Sequence, residues 1–567
     1  MATVLSAKNR LDITNELRKN TYDLLIIGGG ITGAGIALDA AARGLKVALI
    51  EKDDFASGTS SKSTKLIHGG LRYLKQMEVA IVREVGQERA IVHRLAPHLV
   101  IAEKMLLPLV KGGTYGKMAT SIGLRVYDLL AGVKGTDRRV MLDKRQTLEK
   151  VPQLREDILL GSGFYAEYRT DDARLTIENI KTAHEYGATV LNHAGAIDFI
   201  QENDQVRGVT AQCKFTGQSF KIKASMVVNA AGPWVDELRK KNHSLKGKRL
   251  FHSKGVHIVV PHERLPLKHS VYFDVPDGRM IFAIPRHRAT YIGTTDTPYS
   301  GDLNNIPIYL EDVNYLLDAA NQMFPDANLE LKDIESSWAG LRPLIYEEGK
   351  SASEMSRKDE IFVSDSGLIS ISGGKLTGYR KMAEKATDLV ISKFTGSNHR
   401  KLKASNTAHI QLKGGPFKNS REVDAYQEKI AQRIEQWDLT PYHAQYLVAN
   451  YGRQTDAVLS RLAGFLEMSD PEVALIRAEL QFCVEMELTA TALDFFDRRT
   501  GRLYFNYPSI APSMEYVLQD MQRYLDWDDQ RLAREKQTLS EQLHQAANFE
   551  KAPQTESAQT HKRSTQG

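Results

Sequence analysis

Apolar and polar positions divide the chain into three regimes. Near the start, the apolar run LLII at 24–27 leads into Gly28-x-Gly30-x-x-Gly33, then a helix, then a second apolar strand that closes on Glu51. This order predicts a parallel βαβ unit. Residues MVVNAA at 226–231 read as another buried strand running into Gly232-Pro233-Trp234, and LISISGGKLTGYR at 368–380 reads as a third return to the same place. Three distant segments therefore converge, with inserted layers between them. Over 250–300 the stretches FHSKGVHIVV, VYFDV, GRMIFAIP and TYIGTTD are separated by polar turns, which predicts an antiparallel sheet.

From about residue 396 helical periodicity takes over. Val458, Leu459, Leu462, Phe465 and Leu466 recur at helical spacing, and Thr440-Pro441 and Asp470-Pro471 have the form of an N-cap followed by a first-turn proline. The expected division is a discontinuous nucleotide domain over 1–395, with a cap inserted at about 90–160 and 250–350. A helical domain follows over 396–546. Residues 547–567, polar and poor in apolar side chains, are expected to be a disordered tail. Residues 1–20 read as a polar lead-in holding one helix.

The βαβ unit carries its own chemistry. Gly28 permits the tight turn, Gly30 lets a pyrophosphate approach the backbone, and Gly33 lets helix and sheet pack closely. The helix N-terminus, with Thr32 in its first turn, offers free N–H groups and partial positive charge. Glu51 stands where a carboxylate accepts from ribose hydroxyls and repels a 2′-phosphate. Together these features predict a dinucleotide site without choosing between NAD and FAD.

Composition narrows the class. The chain has 567 residues, 42% hydrophobic and 26% charged, which is enough for two or three domains with a sizeable core. A formal charge of +5 is too small to argue for nucleic acid, and no basic stripe with interleaved aromatics occurs. The only cysteines, Cys213 and Cys483, lie far apart without metal-ligand spacing, so neither a disulfide framework nor a metal site is expected. No apolar run is long enough to span a bilayer, and no secretory signal is visible. The cytoplasm fits best.

The strings TYDLLIIGGGITGAGIALDAAARG, TSSKSTKLIHGGLRYL, YRTDDARL, NAAGPWVD, SWAGLRPL, SRKDEI, GGKLTGYRKMAE and TATALDFFDRRTGRL together resemble the FAD-dependent (aerobic) glycerol-3-phosphate dehydrogenase family, from about Tyr22 to about Asp529. The resemblance implies an α/β fold. Its parts would be a Rossmann-like, glutathione-reductase-type FAD-binding domain, an antiparallel-sheet substrate cap and a C-terminal all-helical domain. It also implies oxidation of sn-glycerol 3-phosphate to dihydroxyacetone phosphate, with FAD passing electrons to a membrane quinone. No motif for covalent flavin attachment is evident, so noncovalent FAD is expected.

Carried over by position, the cofactor residues would be Gly28, Gly30, Thr32, Gly33, Glu51, Thr59, Ser60, Ser61, Thr64, Lys65, Leu66, His68, Gly69, Gly232, Gly374, Lys375 and Thr377. A phosphate dianion needs convergent cations, and Arg72, Arg342, Arg357 and Lys375, with Tyr73, are the substrate candidates. Oxidising an alcohol also requires a proton acceptor. His257 and His68 are the candidates because imidazole titrates near neutrality, while Arg342 is an alternative stabiliser of a developing alkoxide. Arg498, Arg499 and Arg502 read as interdomain or subunit ion pairs.

Residues 105–139 mix apolar side chains with Lys111, Lys117, Arg125, Lys134, Arg138 and Arg139. They suit either peripheral docking on the cytoplasmic face of a membrane or a buried cap helix with basic ends. A homodimer is a candidate assembly. Two other functions stay open: a glycerol-3-phosphate oxidase that gives electrons to O2 and forms H2O2, and a noncatalytic flavin-binding redox sensor. No extra block stands between 250 and 350 of the kind such oxidases carry, and a sensor has no need of a phosphate pocket.

Overall fold

The structure, a computed structural model, describes residues 4–67, 79–113, 138–346, 359–373, 375–394 and 402–553, with backbone alone for 79–82. Thr21–Ile27 and Val47–Ile50 pair in parallel, and the Ile31–Ala42 helix crosses between them. Ser219–Asn229 and then Ile369–Ser372 extend the parallel array on one side, and Thr189–Leu191 extends it on the other. Such strands are buried on both faces, which is why they read as unbroken apolar runs. A hairpin of Ala194–Glu202 and Gln205–Cys213 joins Ser219–Asn229 antiparallel, and Glu360–Val363 closes the far edge. The Tyr379–Lys393 helix lies on the Ile31–Ala42 helix, close enough that a Cβ at Gly35 would meet Tyr379 and Ala383 at 3.1 Å.

The second sheet has ten strands among the described residues. Leu250–Pro261 runs antiparallel to Ala289–Gly293, Thr297–Tyr299 and Ser336–Ile345. Met280–Arg286 and Ser270–Asp274 continue the sheet to Ile101–Val110, Leu159–Arg169 and the short Leu66–Ile67. Alternation in Leu250–Pro261 assigns its two faces. Val256, Ile258 and Val260 share a core with Val313, Leu316 and Ala320 of the Leu310–Met323 helix. Val259 instead joins a core continuous with the C-terminal helices, and His257 is on that second face.

The first cap segment is expected over about 90–160, and the cap sheet there includes Leu159–Arg169, whose ladder with Ile101–Val110 holds register as far as the Ile101–Arg169 pair. Met105–Leu109 are buried in that ladder as strand and not as helix, so this part of 105–139 faces the cap interior. Residues 114–137 lie outside the described residues. No helix among the described residues is long and apolar enough to cross a membrane.

The C-terminal domain stacks Ser420–Ile434, Pro441–Tyr451, Thr455–Leu462, Pro471–Met486, Ile510–Leu525 and Asp529–Ala547. Asp470 accepts from the Glu472 amide at 2.9 Å, which caps the Pro471–Met486 helix, and Thr440 forms a reciprocal cap with His443. Phe495, Phe496 and Phe505 reach the cap core beside Trp338 and Tyr291. Residues 548–553, expected to fall in the tail, include several that contact the cap, and 554–567 lie outside the described residues. The Leu310 amide donates to the Glu550 carbonyl at 2.8 Å, Phe549 packs on the cap core, and the Ala552 amide donates to Glu311 at 3.1 Å.

Candidate active site

The nucleotide crevice opens at the carboxyl ends of the parallel strands. A Cβ on Gly33 would sit 1.9 Å from the Gly28 carbonyl, so helix and strand meet there only without a side chain. Gly28, at φ +115, is in the left-handed region and lies against the Ala230 carbonyl. This brings the 226–232 segment onto the glycine turn. Glu51 accepts from the Gly29 amide at 2.7 Å and the Asp53 amide at 2.9 Å. Burial raises its pKa above the usual carboxylate value while both amide bonds oppose the shift. Ser60 Oγ accepts from the Ile31 amide at 2.9 Å, tying the hydroxyl-rich loop to the helix N-terminus, and Thr32 is half-buried in that first turn.

The loop then passes under the second face of the cap. Thr59 donates to the Leu341 carbonyl at 2.6 Å, and Trp338 Nε1 donates to the Ser63 carbonyl at 3.2 Å. Thr64 Oγ1 lies 3.0 Å from His257 Nε2. Trp338, Gly340 and Arg342 share this face, and a Cβ on Gly340 would collide with the Lys62 carbonyl at 2.5 Å. Glycine is needed for that approach.

Arg342 donates to Thr294 Oγ1 at 3.0 Å and to the Thr295 carbonyl at 3.3 Å, and it pairs with Asp296 at 3.1 Å. Its side chain is 24% exposed, so the guanidinium is oriented yet reachable. His257 is 1% exposed and stacks on Trp338 at 4.7 Å and 10°. Burial first, then Arg342 and Lys65, push its pKa well below 6.5, so the imidazole is neutral. The structure thus brings together His257, Arg342, Thr64 and the Thr59–Ser61 turn. Ser61 is buried, with its carbonyl accepting from Lys65 at 3.0 Å.

Lys65, a cofactor candidate by its motif, has its ammonium committed within the protein: it is 2% exposed and donates to Asp172 at 2.5 Å and to the Ser61 carbonyl. The reason is electrostatic: an ammonium this deeply buried must hold its own counterion. Leu66 is committed to the cap ladder opposite Arg169. Gly232, at φ +55, opens the turn after Asn229, and Thr377 is buried at the turn leading into the Tyr379–Lys393 helix, just after Lys375. His68, Gly69, Arg72, Tyr73, Arg357 and Gly374 lie outside the described residues.

Two groups carry no signal in the sequence that marks them as site residues. Thr294, Thr295 and Asp296 orient Arg342, yet in TYIGTTD they read only as the end of a strand. Asp54 is fully buried and accepts from Arg498 at 2.6 Å, from Arg499 at 2.6 and 2.8 Å and from Asn192 at 2.8 Å. It anchors the loop after Glu51 to the DFFDRR turn. Asp54, His193 and Asp494 have ligand atoms within 4.8 Å of one another. The two arginines already occupy these carboxylates, so the cluster is an ion-pair network. Lys62 reaches the same turn, 2.8 Å from Asp497.

Buried neutral histidines set a pH response. Burial first, then nearby cations, lowers His98 and His287 to about 3, and His257 is lowered as well. The unfolded chain protonates each near pH 6.5 while the fold does not. Stability present above pH 6.5 is therefore lost as pH falls toward the depressed values, by up to about 1.4 kcal/mol per pH unit for each group. The unfolding midpoint is expected to drop from pH 6.5 to pH 5. An unchanged midpoint over that interval contradicts the assignment.

This architecture, with a glycine-turn crevice beneath an antiparallel cap, defines an FAD-dependent oxidoreductase. The family model described as FAD dependent oxidoreductase matches residues 23–380, and the model described as the C-terminal domain of alpha-glycerophosphate oxidase matches residues 405–532. The aerobic glycerol-3-phosphate dehydrogenase of Bacillus subtilis is 49% identical over 95% of this chain and 98% of its own length. That of Staphylococcus aureus is 46% identical over 97% and 99%. The structure of the Bacillus halodurans glycerol-3-phosphate dehydrogenase complexed with FAD matches with a TM-score of 0.82 and 43% identity, covering 96% of this chain and 99% of that one. The chain belongs to the aerobic glycerol-3-phosphate dehydrogenase family. FAD is its cofactor, and the Gly28–Gly33 turn, the Glu51 carboxylate and the Ser60 tie supply a cradle that fits it.

Proposed function

We propose that this chain oxidises sn-glycerol 3-phosphate to dihydroxyacetone phosphate and passes the electrons to a membrane quinone. The observation that supports this best is the charged Arg342 held beside a neutral His257 on the cap face that meets the cofactor loop, within a chain 49% identical to the Bacillus subtilis enzyme. When bound, FAD supplies a two-electron acceptor at N5 for the C2 hydride. The protein's own work is to hold the substrate and take the hydroxyl proton.

Arg342 orients the C2 oxygen and stabilises the charge that develops on it. Arg72, Tyr73, Arg357 and Lys375 complete the phosphate site in this reading. His257 is too enclosed to meet the alcohol directly, so the proton travels through Thr64 Oγ1 to Nε2. Burial first, then the nearby positive charge of Arg342 and Lys65, opposes a proton on His257, and a bound phosphate dianion offsets the charge part of that opposition. Electrons then leave at a membrane surface on which the protein docks peripherally.

Anaerobic titration of the FAD-loaded protein with glycerol 3-phosphate is expected to bleach the flavin absorbance stoichiometrically. A soluble quinone should restore it far faster than air does. Rapid recovery in O2 with one H2O2 per cycle would point instead to the oxidase. No bleaching at all would favour the noncatalytic sensor.

A further inference from the structure

On the same face of the cap as His257, farther along the strands, a cleft opens where the cap meets the helical domain. Arg169, Asp171, Arg286 and His287 line it from the cap side, and Asn450 and Arg502 line it from the helices. Its enclosed cavity is about 20 Å³, room for one or two water-sized occupants.

Hydrogen bonding around the cleft is lopsided. Arg286 is 7% exposed and pairs with Asp171 at 2.8 Å through Nη2, which leaves Nε and Nη1 buried with no acceptor. Asn450 Nδ2 and Arg502 Nε, on residues 3% and 2% exposed, are also unpartnered donors. The carboxylates are already engaged, and His98, neutral and with both ring nitrogens unpartnered, adds one open acceptor and one open donor. Asp171 takes the Arg174 amide on one oxygen and Arg286 on the other. Glu479, which pairs with Arg502 at 2.8 Å, also accepts from Tyr446 and Tyr451. Arg286 has the Phe505 ring 3.8 Å from its guanidinium carbon, so its plane is fixed.

Leaving several buried N–H groups without acceptors is costly. A water molecule would meet part of the need, but only one of its two hydrogens would find an open acceptor, a ring nitrogen of His98, while the carboxylates already accept. A monatomic anion has no hydrogens to place and accepts from several directions at once. We propose that this cleft is a binding site for a small halide-class anion, chloride in practice, which bridges Arg286 of the cap to Asn450 and Arg502 of the helical domain. The bound anion ties the two layers together and does not take part in the oxidation.

The test uses the full-length, FAD-loaded protein. Crystals soaked in millimolar sodium bromide are expected to show an anomalous peak within hydrogen-bond range of Arg286 and Asn450. In solution, the unfolding midpoint should rise by about 1 °C per tenfold increase in chloride above its Kd, relative to sodium gluconate at equal ionic strength. Asn450→Leu, which leaves the ion pairs intact, and Arg286→Met should both abolish the difference. No bromide peak, a peak only at molar bromide, an undiminished chloride effect in Asn450→Leu, or a response to sulfate but not to halide would each overturn the proposal.

Discussion

Arg342→Met is expected to lower kcat/KM for glycerol 3-phosphate by about 10²–10³-fold, or about 2.7–4 kcal/mol of transition-state stabilisation, while FAD stays bound. The cause is geometric. Arg342 is anchored by Thr294, the Thr295 carbonyl and Asp296, so its guanidinium is aimed without further cost in side-chain freedom. These three anchors lie in the cap, away from the glycine turn, and the flavin spectrum and FAD retention should match the parent protein. Arg342→Lys keeps the charge but loses the planar set of donors, and it should recover only a minor part of the activity. Steady-state kinetics beside FAD stoichiometry checks this. A loss below threefold, or a loss that follows the loss of FAD, would remove Arg342 from the chemistry.

Asp54→Ala should be strongly destabilising. It takes from Arg499, 0% exposed, the carboxylate it bonds twice, and from Arg498, 6% exposed, one of the three carboxylates it bonds. Removing one member of a buried ion pair typically costs about 3–5 kcal/mol, and here two guanidinium groups lose one partner. The same aspartate holds the loop that follows Glu51, so FAD should dissociate before the helical domain melts. Thermal unfolding followed by flavin fluorescence and by circular dichroism should therefore show two transitions where the parent shows one. Asp54→Asn keeps the shape without the charge and should be nearly as damaging. A midpoint within about 1 °C of the parent for either variant, far less than such a loss predicts, would sink the assignment.

These two residues mark how far local sequence carries. The Gly28–Gly33 turn, Glu51 and the apolar strands around them are legible because their signals are local: period, turn chemistry and a terminal acid fall within one βαβ unit. The alternation over 250–300 likewise exposes most of the cap. Its partners at Ile101–Val110 and Leu159–Arg169 stay hidden because their ladder is a long-range pairing. Arg342 is identified by its motif, but what fixes its direction comes from a neighbouring strand. Lys65 stands in TSSKSTK among the cofactor candidates, and only the fold shows its ammonium paired with Asp172. Asp54 carries no local signal, since its partners come from the far end of the chain.

That separation governs how the protein is made. Arg498 lies 444 positions downstream of Asp54, and the strand Ile369–Ser372 that extends the nucleotide sheet also emerges late. On the ribosome, an early-synthesised Rossmann-like unit waits with Asp54 lacking its guanidinium partners until Arg498 and Arg499 have emerged. Flavin loading is thus expected late in biosynthesis, and nascent chains arrested before the DFFDRR turn are expected to retain the cofactor weakly.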